Sequence, residues 1–221
     1  MLKAMLFDMD GVIVDTEPLH HKAYIQMFEE VGIDVSLKMY AEFTGQSTMS
    51  ICKQLCEFFN LKINPQKLVD IKRNNFTKLF YEDNQLKLID GVEDLIKNYF
   101  QNGLKLVLAS SASMFTINNI TKRFDLDKYF MDKLSGADLK ASKPHPEIFN
   151  KAARSACALN NECIVIEDSS NGILAAKRAG IFCIAYQSKN SRNQDYSLAD
   201  MVISDYNKIK YENINQLLWN F

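Results

Sequence analysis

Near-continuous apolar runs punctuate the second half of the chain, each following a stretch whose apolar residues fall three and four positions apart. "GVEDLIKNYFQNG" precedes "LKLVLAS", "PEIFNKAARSACALN" precedes "CIVIED", and "NGILAAKRAG" precedes "IFCIAY", with "ADMVIS" as a last short strand. The spaced segments predict helices and the runs predict strands buried on both faces, so the alternation predicts a parallel sheet with helices on both sides. Residues 2 to 8 form one more strand-like run that must join this sheet. Between them the pattern is helical from 17 to 82: "HHKAYIQMFEEVG" stops at Gly32, "STMSICKQLCEFFN" stops at Asn60, and "PQKLVDIKRNNFTKLFYE" opens on Pro65. The expected fold is an α/β, Rossmann-like, doubly wound parallel sheet core with a small all-helical cap domain. Residues 1–15 and 88–221 form the core, residues 16–87 the cap, and the joints lie near Val14 to Thr16 and Gln85 to Leu88.

With 221 residues, 47% of them hydrophobic, the chain can bury a sizeable core. A formal net charge of −1, with both signs interspersed, gives neither a nucleic-acid track nor a surface for anionic membranes. No 18-residue apolar run and no signal-peptide pattern occur, and five dispersed cysteines do not make a disulfide framework, so a reduced, cytoplasmic protein is expected. Cys52 and Cys56 lie one helical turn apart, but no second pair completes four metal ligands, and they read as packing. Trp219 and the nine methionines read as filler, and the polar "QSKNSRNQD", residues 187–195, as a surface loop.

Polar residues collect where the strands end. Asp8 and Asp10 follow the first run, Ser110 and Ser111 follow "LKLVLA", Glu167 and Asp168 follow "CIVI", and Lys143 lies in a proline-stiffened segment before a helix. Open parallel sheets bind ligands beyond the carboxyl ends of their strands. Singly, each signal has a structural reading: Asp10-Gly11 as a turn, the serines as helix caps, "EDSSNG" as the cap of a helix starting near Gly172. Together they place four carboxylates side by side, which is costly without compensation, so a divalent metal and a basic residue are expected among them.

"DMDGVIVDTE", "LASSAS", "KASKPHPEIF" and "IEDSSNGILAAKRAG", in that order, resemble the four motifs of the haloacid dehalogenase superfamily, in its phosphatase and beta-phosphoglucomutase-like branch. The resemblance spans nearly the whole chain. It implies that Asp8 attacks phosphorus to form an aspartyl-phosphate and that Asp10 is the general acid and base. It also implies Mg²⁺ held by Asp8, the backbone carbonyl of Asp10 and Asp168, with Glu167 supporting through water. Ser110, the N–H of Ser111 and the ammonium of Lys143 would hold the phosphoryl oxygens. His20 then either contacts Asp10 or the substrate or is a helix-surface residue, while His21 and His145 read as structural or solvated. In the related mutases a cap arginine that clamps a second phosphate aligns, through Gly45, with Thr48 of this chain, and Lys72 or Arg73 could supply such a cation instead. The expected partner is a small phosphorylated metabolite and the expected state a monomer. A phosphatase acting on sugar phosphates is expected ahead of a phosphosugar mutase, and both ahead of a non-catalytic phosphate-binding module or a dehalogenase.

Overall fold

The computed structural model describes residues 1–43, 46–188 and 194–218. Gly45, Trp219 and residues 189–193 of the polar stretch lie outside the described residues. Six parallel strands, β1 (Ala4–Phe7), β2 (Lys105–Ser110), β3 (Asp132–Ser135), β4 (Cys163–Glu167), β5 (Phe182–Tyr186) and β6 (Met201–Ile203), form one sheet in the order β3-β2-β1-β4-β5-β6. The helices are α1 (Glu17–Val31), α2 (Leu37–Ala41), α3 (Thr48–Phe58), α4 (Pro65–Glu82), α5 (Val92–Gln101), α6 (Met114–Arg123), α7 (Glu147–Ser155), α8 (Ser170–Arg178) and α9 (Tyr211–Leu218).

Strand side chains alternate between two cores, as the two-residue period of a strand demands. Met5, Phe7, Leu106 and Leu108 pack with Leu95 and Tyr99 of α5 and Ile117 of α6. Ala4, Leu6, Val107 and Ala109 pack with Phe149 of α7 and Ile173 of α8. A third cluster joins Tyr24, Phe28, Phe43, Cys52, Leu55 and Leu68 of the helical insert. The start and stop signals act where the sequence places them: Gly32 ends α1 in the left-handed conformation at φ 69°, and Ser47 caps α3 by accepting from the N–H of Ser50.

Three elements escape the hydrophobic pattern. β3 reads "DKLS" because it is an edge strand with one paired side, and needs no apolar run. α6 gives the core Ile117 and Ile120, with Met114 packed against it, among six polar residues, and α2 is five residues long. α8 begins at Ser170 rather than near Gly172, because Ser169 is its cap and accepts from the N–H of Gly172 at 3.1 Å.

The chain leaves the sheet and returns to it at one place. Val14 bridges Leu88 in antiparallel fashion, and the N–H of Ile89 donates to the carbonyl of Ile13 at 2.9 Å. The loop after β1 is held from below by Tyr206, whose hydroxyl donates to the carbonyl of Val12 at 2.6 Å while its ring stacks on Tyr186. Tyr206→Phe should therefore lower the unfolding free energy by about 1 to 3 kcal/mol, the usual result of orphaning one buried carbonyl. Urea denaturation measures it, and an unchanged midpoint would mean the bond contributes nothing.

Candidate active site

Register brings the chemistry together. Phe7 pairs with Leu108 on one side and Ile166 on the other, so Asp8, Ala109 and Glu167 are the next residues on three adjacent strands. Lys143, in the segment leading into α7, reaches this level with a side chain only 1% exposed. Its ammonium donates to Asp8 Oδ1, to Glu167 Oε1 at 2.6 Å and to the carbonyl of Ala109 at 3.1 Å. Those three bonds match the three donors of an ammonium. Burial opposes the charge of Lys143, yet Asp8 and Glu167 hold its pKa above the usual lysine value. The Asp8 carboxyl is pushed up to about 8 by burial, with Lys143 pulling the other way and Glu167 and Asp10 adding to the rise.

Glu167 is occupied on its other side as well. Its Oε2 accepts from the N–H of Asp168 at 2.9 Å and from the N–H and hydroxyl of Ser169 at 3.0 Å each. These donors open α8, whose N-terminus favours the negative charge. Gly172 stands in the first turn of that helix, where an added Cβ would lie 1.8 Å from Glu167 Oε1, so the carboxylate occupies the space of the missing side chain. Gly11 does the same for Asp168, at 2.0 Å from Oδ2, and its φ of 79° is one that other residues rarely adopt. Buried oxygens of Asp8, Glu167 and Asp168 come within 4.8 Å of one another. A set of three hard oxygen donors fits Mg²⁺, which takes carboxylates and keeps water and phosphate as further ligands.

Asp10 has a separate environment. The hydroxyl of Thr16 donates to its Oδ1, Ser110 Oγ lies 3.4 Å from Oδ2, and His20 Nε2 lies 3.5 Å from Oδ1. Behind His20, Lys72 Nζ sits 2.7 Å from Nδ1, with its charge over the rings of Tyr24 and Phe76. An ammonium can only donate, so Nδ1 accepts and Nε2 carries the proton towards Asp10. Burial opposes ionisation of Asp10, but the bond and charge of His20, with Thr16 and Lys72, hold its pKa below the usual value. Burial lowers Lys72 to about 8 against the pull of Asp10 and Glu17, and burial together with Lys72 lowers His20.

A cavity of about 120 Å³ lies between strand ends and insert. Asp8, Asp10, Ser111 and Asp168 form its floor, and His20, Thr48, Lys72 and Glu17 its roof. Lys143, Glu167 and Ser110 stand behind that floor rather than in it, so a phosphoryl oxygen meeting Lys143 would share an ammonium already donating three ways. Arg73 is not among the lining residues. Thr16, Glu17 and Tyr40 were not singled out from the sequence. Glu17 accepts from the hydroxyl of Tyr40 at 3.1 Å, and burial pushes its carboxyl up to about 7. The only local signal for it was "DTE" at the end of the first motif.

Residues 5–186 match the haloacid dehalogenase-like hydrolase family. The phosphorylated carbohydrates phosphatase of Thermotoga maritima is 31% identical over 186 residues, covering 81% of this chain and 82% of that protein. Beta-phosphoglucomutase of Clostridium difficile superposes with a TM-score of 0.85 at 28% identity, over 98% of this chain and 96% of that one. CbbY of Rhodobacter sphaeroides, solved in complex with xylulose-(1,5)bisphosphate, superposes with a TM-score of 0.82 at 25% identity, over 93% and 95% of the two chains.

Lys143→Met keeps the length of the side chain and removes the charge, leaving Asp8 and Glu167 buried against each other. The fold should lose about 3 to 5 kcal/mol, as when one partner of a buried ion pair is removed. Calorimetry at neutral pH checks this, and an unchanged melting temperature would show that the two carboxylates do not depend on the ammonium.

Proposed function

The chain belongs to the haloacid dehalogenase-like hydrolase family and is a phosphoric monoester hydrolase, and on that premise we propose a Mg²⁺-dependent phosphatase of sugar phosphates that works through an aspartyl-phosphate. The observation that carries the reading is Asp8: a buried carboxylate at the end of the central strand, oriented by Lys143, facing a cavity whose floor also holds Asp10. Asp8 attacks phosphorus in line and becomes phosphorylated, dividing one displacement into two. Asp10, kept ionised by its partners at rest, takes up a proton as the anionic substrate binds, passes it to the departing sugar alkoxide and then takes one from the water that attacks the aspartyl-phosphate. The N–H of Ser111, on the cavity floor, binds a phosphoryl oxygen, while Ser110 and Lys143 stand behind it, Ser110 against Asp10 and Lys143 balancing the charge. Asp8, Asp168 and the backbone carbonyl of Asp10 would hold Mg²⁺, with Glu167 acting through water. Bound there, the ion supplies positive charge to the phosphoryl oxygens.

Residues 16–87 are read as a cap over a core of residues 1–15 and 88–221, hinged where residues 13–14 meet 88–89. Supporting this, the roof of the cavity comes from that insert. Closure would exclude water and choose the leaving group. The roof combines a carboxylate, an imidazole, an ammonium and the hydroxyl of Thr48, a mixture suited to sugar hydroxyls, and a relative is named for phosphorylated carbohydrates. The enzyme is read as a cytoplasmic monomer. Its cysteines are all free, and among the described residues no helix is long and apolar enough to cross a membrane.

One observation favours a phosphosugar mutase instead: Lys72 lines the cavity and could hold a second phosphate. It already donates to His20, and Thr48 offers no charge, so water is the better acceptor.

Inorganic phosphate should be released from hexose or pentose phosphates, vanish in excess EDTA and return with Mg²⁺, and the Asp8→Ala variant should not take label from a phosphorylated substrate. Full activity in EDTA, or a labelled variant, rejects the mechanism. Supplied with beta-glucose 1-phosphate and catalytic glucose 1,6-bisphosphate, the enzyme should form free phosphate faster than glucose 6-phosphate. The reverse order would make it a mutase, with Lys72 as the clamp.

A further inference from the structure

α4 presents one ridge of three residues, Lys72, Phe76 and Phe80, each a turn apart and each 4% exposed. His20 stacks on Phe76 with ring centroids 4.4 Å apart, and Phe76 on Phe80 at 6.2 Å. The column does not end there. The guanidinium of Arg123 lies over Phe80, 5.0 Å from its centroid, and donates to the carbonyl of Phe80 at 2.8 Å and to the carbonyl of Asp83. Carbonyls at the end of a helix have no partner within it, and a cation there also meets the negative end of the helix dipole.

Arg123 is not part of the insert. It is the last residue of α6, which starts just beyond Ser110 and Ser111. A second tie lies one turn back, where the hydroxyl of Tyr81 donates to Asn119 Oδ1 at 3.0 Å. Phe76 and Phe80 face Phe115 and Asn119 of α6 across a hollow of only about 10 Å³. The contacts therefore close a ring: Asp10 to Ser110, along α6 to Arg123, back along α4 through Phe80 and Phe76 to His20, and from His20 to Asp10.

We propose that Arg123 is a positioning residue for Asp10. By fixing the end of α4 it sets the plane of His20 and the height of Lys72, and so the orientation of the carboxyl that handles the proton. The role rests on reading Asp10 as the proton donor to the leaving group. Without Arg123 the end of α4 is held to α6 only by the Tyr81–Asn119 bond and the packing of Phe76 and Phe80, and a shift of about an ångström is enough to spoil a proton transfer.

The test compares two substrates. A hexose phosphate leaves as an alkoxide and needs Asp10's proton, whereas 4-nitrophenyl phosphate leaves without one. In Arg123→Ala, kcat/KM for the sugar phosphate should fall by between about tenfold and a hundredfold, and that for 4-nitrophenyl phosphate by less than about threefold. Arg123→Lys, which restores the charge but reaches one carbonyl at a time, should fall between wild type and alanine on the sugar phosphate with the same asymmetry. Equal losses on both substrates, or no loss on either, would overturn the proposal, because general loosening of the fold lowers both alike. If the alanine variant does not fold, the ratio measured for the lysine variant decides in the same way. A wild-type enzyme that hydrolyses neither substrate would instead reject the phosphatase reading itself.

Discussion

Three strands end at one ammonium. Parallel strands bring their carboxyl ends to the same edge, and here that edge carries Asp8, the carbonyl of Ala109 and Glu167 side by side. Two buried carboxylates at that distance repel one another and each loses its hydration, so the arrangement stands only if a cation is buried with them. Lys143 is that cation, and its three bonds tie β1, β2 and β4 together at the point where Asp8 must be held still. The small residues around it follow: Gly172 makes room for Glu167, Gly11 for Asp168. A group that looks like a substrate contact in the sequence is, in the folded chain, first of all the counter-charge that lets the floor of the cavity exist.

Much of this was legible beforehand, and for identifiable reasons. β1, β2, β4 and β5 are central strands covered on both faces, so their apolar runs are unbroken. Strand ends in such a sheet place whatever follows them at the ligand edge, which made Asp8, Ser111 and Asp168 visible from their positions alone. β3 was not legible because an edge strand needs little apolar surface, and α6 because Ile117, Ile120 and Met114 alone seat it among polar residues. The environment of Asp10 was legible only in part. His20 is close in the chain, but Lys72 lies 52 residues further on and Arg123 further still, and no local pattern tells which side of α4 will meet α1.

Asp8 and Asp10 end in unlike surroundings although one residue separates them. Asp8 is gripped by the sheet, through Lys143, and burial raises its pKa. Asp10 is gripped by the insert, through Thr16 and His20, and those partners lower it. The groups proposed as nucleophile and proton carrier thus answer to different parts of the molecule. On that proposal, movement of the insert acts on Asp10 and leaves Asp8 in place.

Residues 13–14 and 88–89, hydrogen-bonded to one another, make the entrance and the exit of the helical insert a single seam. Whatever lies between them begins and ends at the same spot on the sheet, and its length and shape place no demand on strand order or register. The segment that roofs the cavity can thus be lengthened, shortened or exchanged during evolution while the strand-end edge with its carboxylates and lysine stays intact. A new leaving group can be accommodated without re-solving the problem of burying two carboxylates beside a lysine.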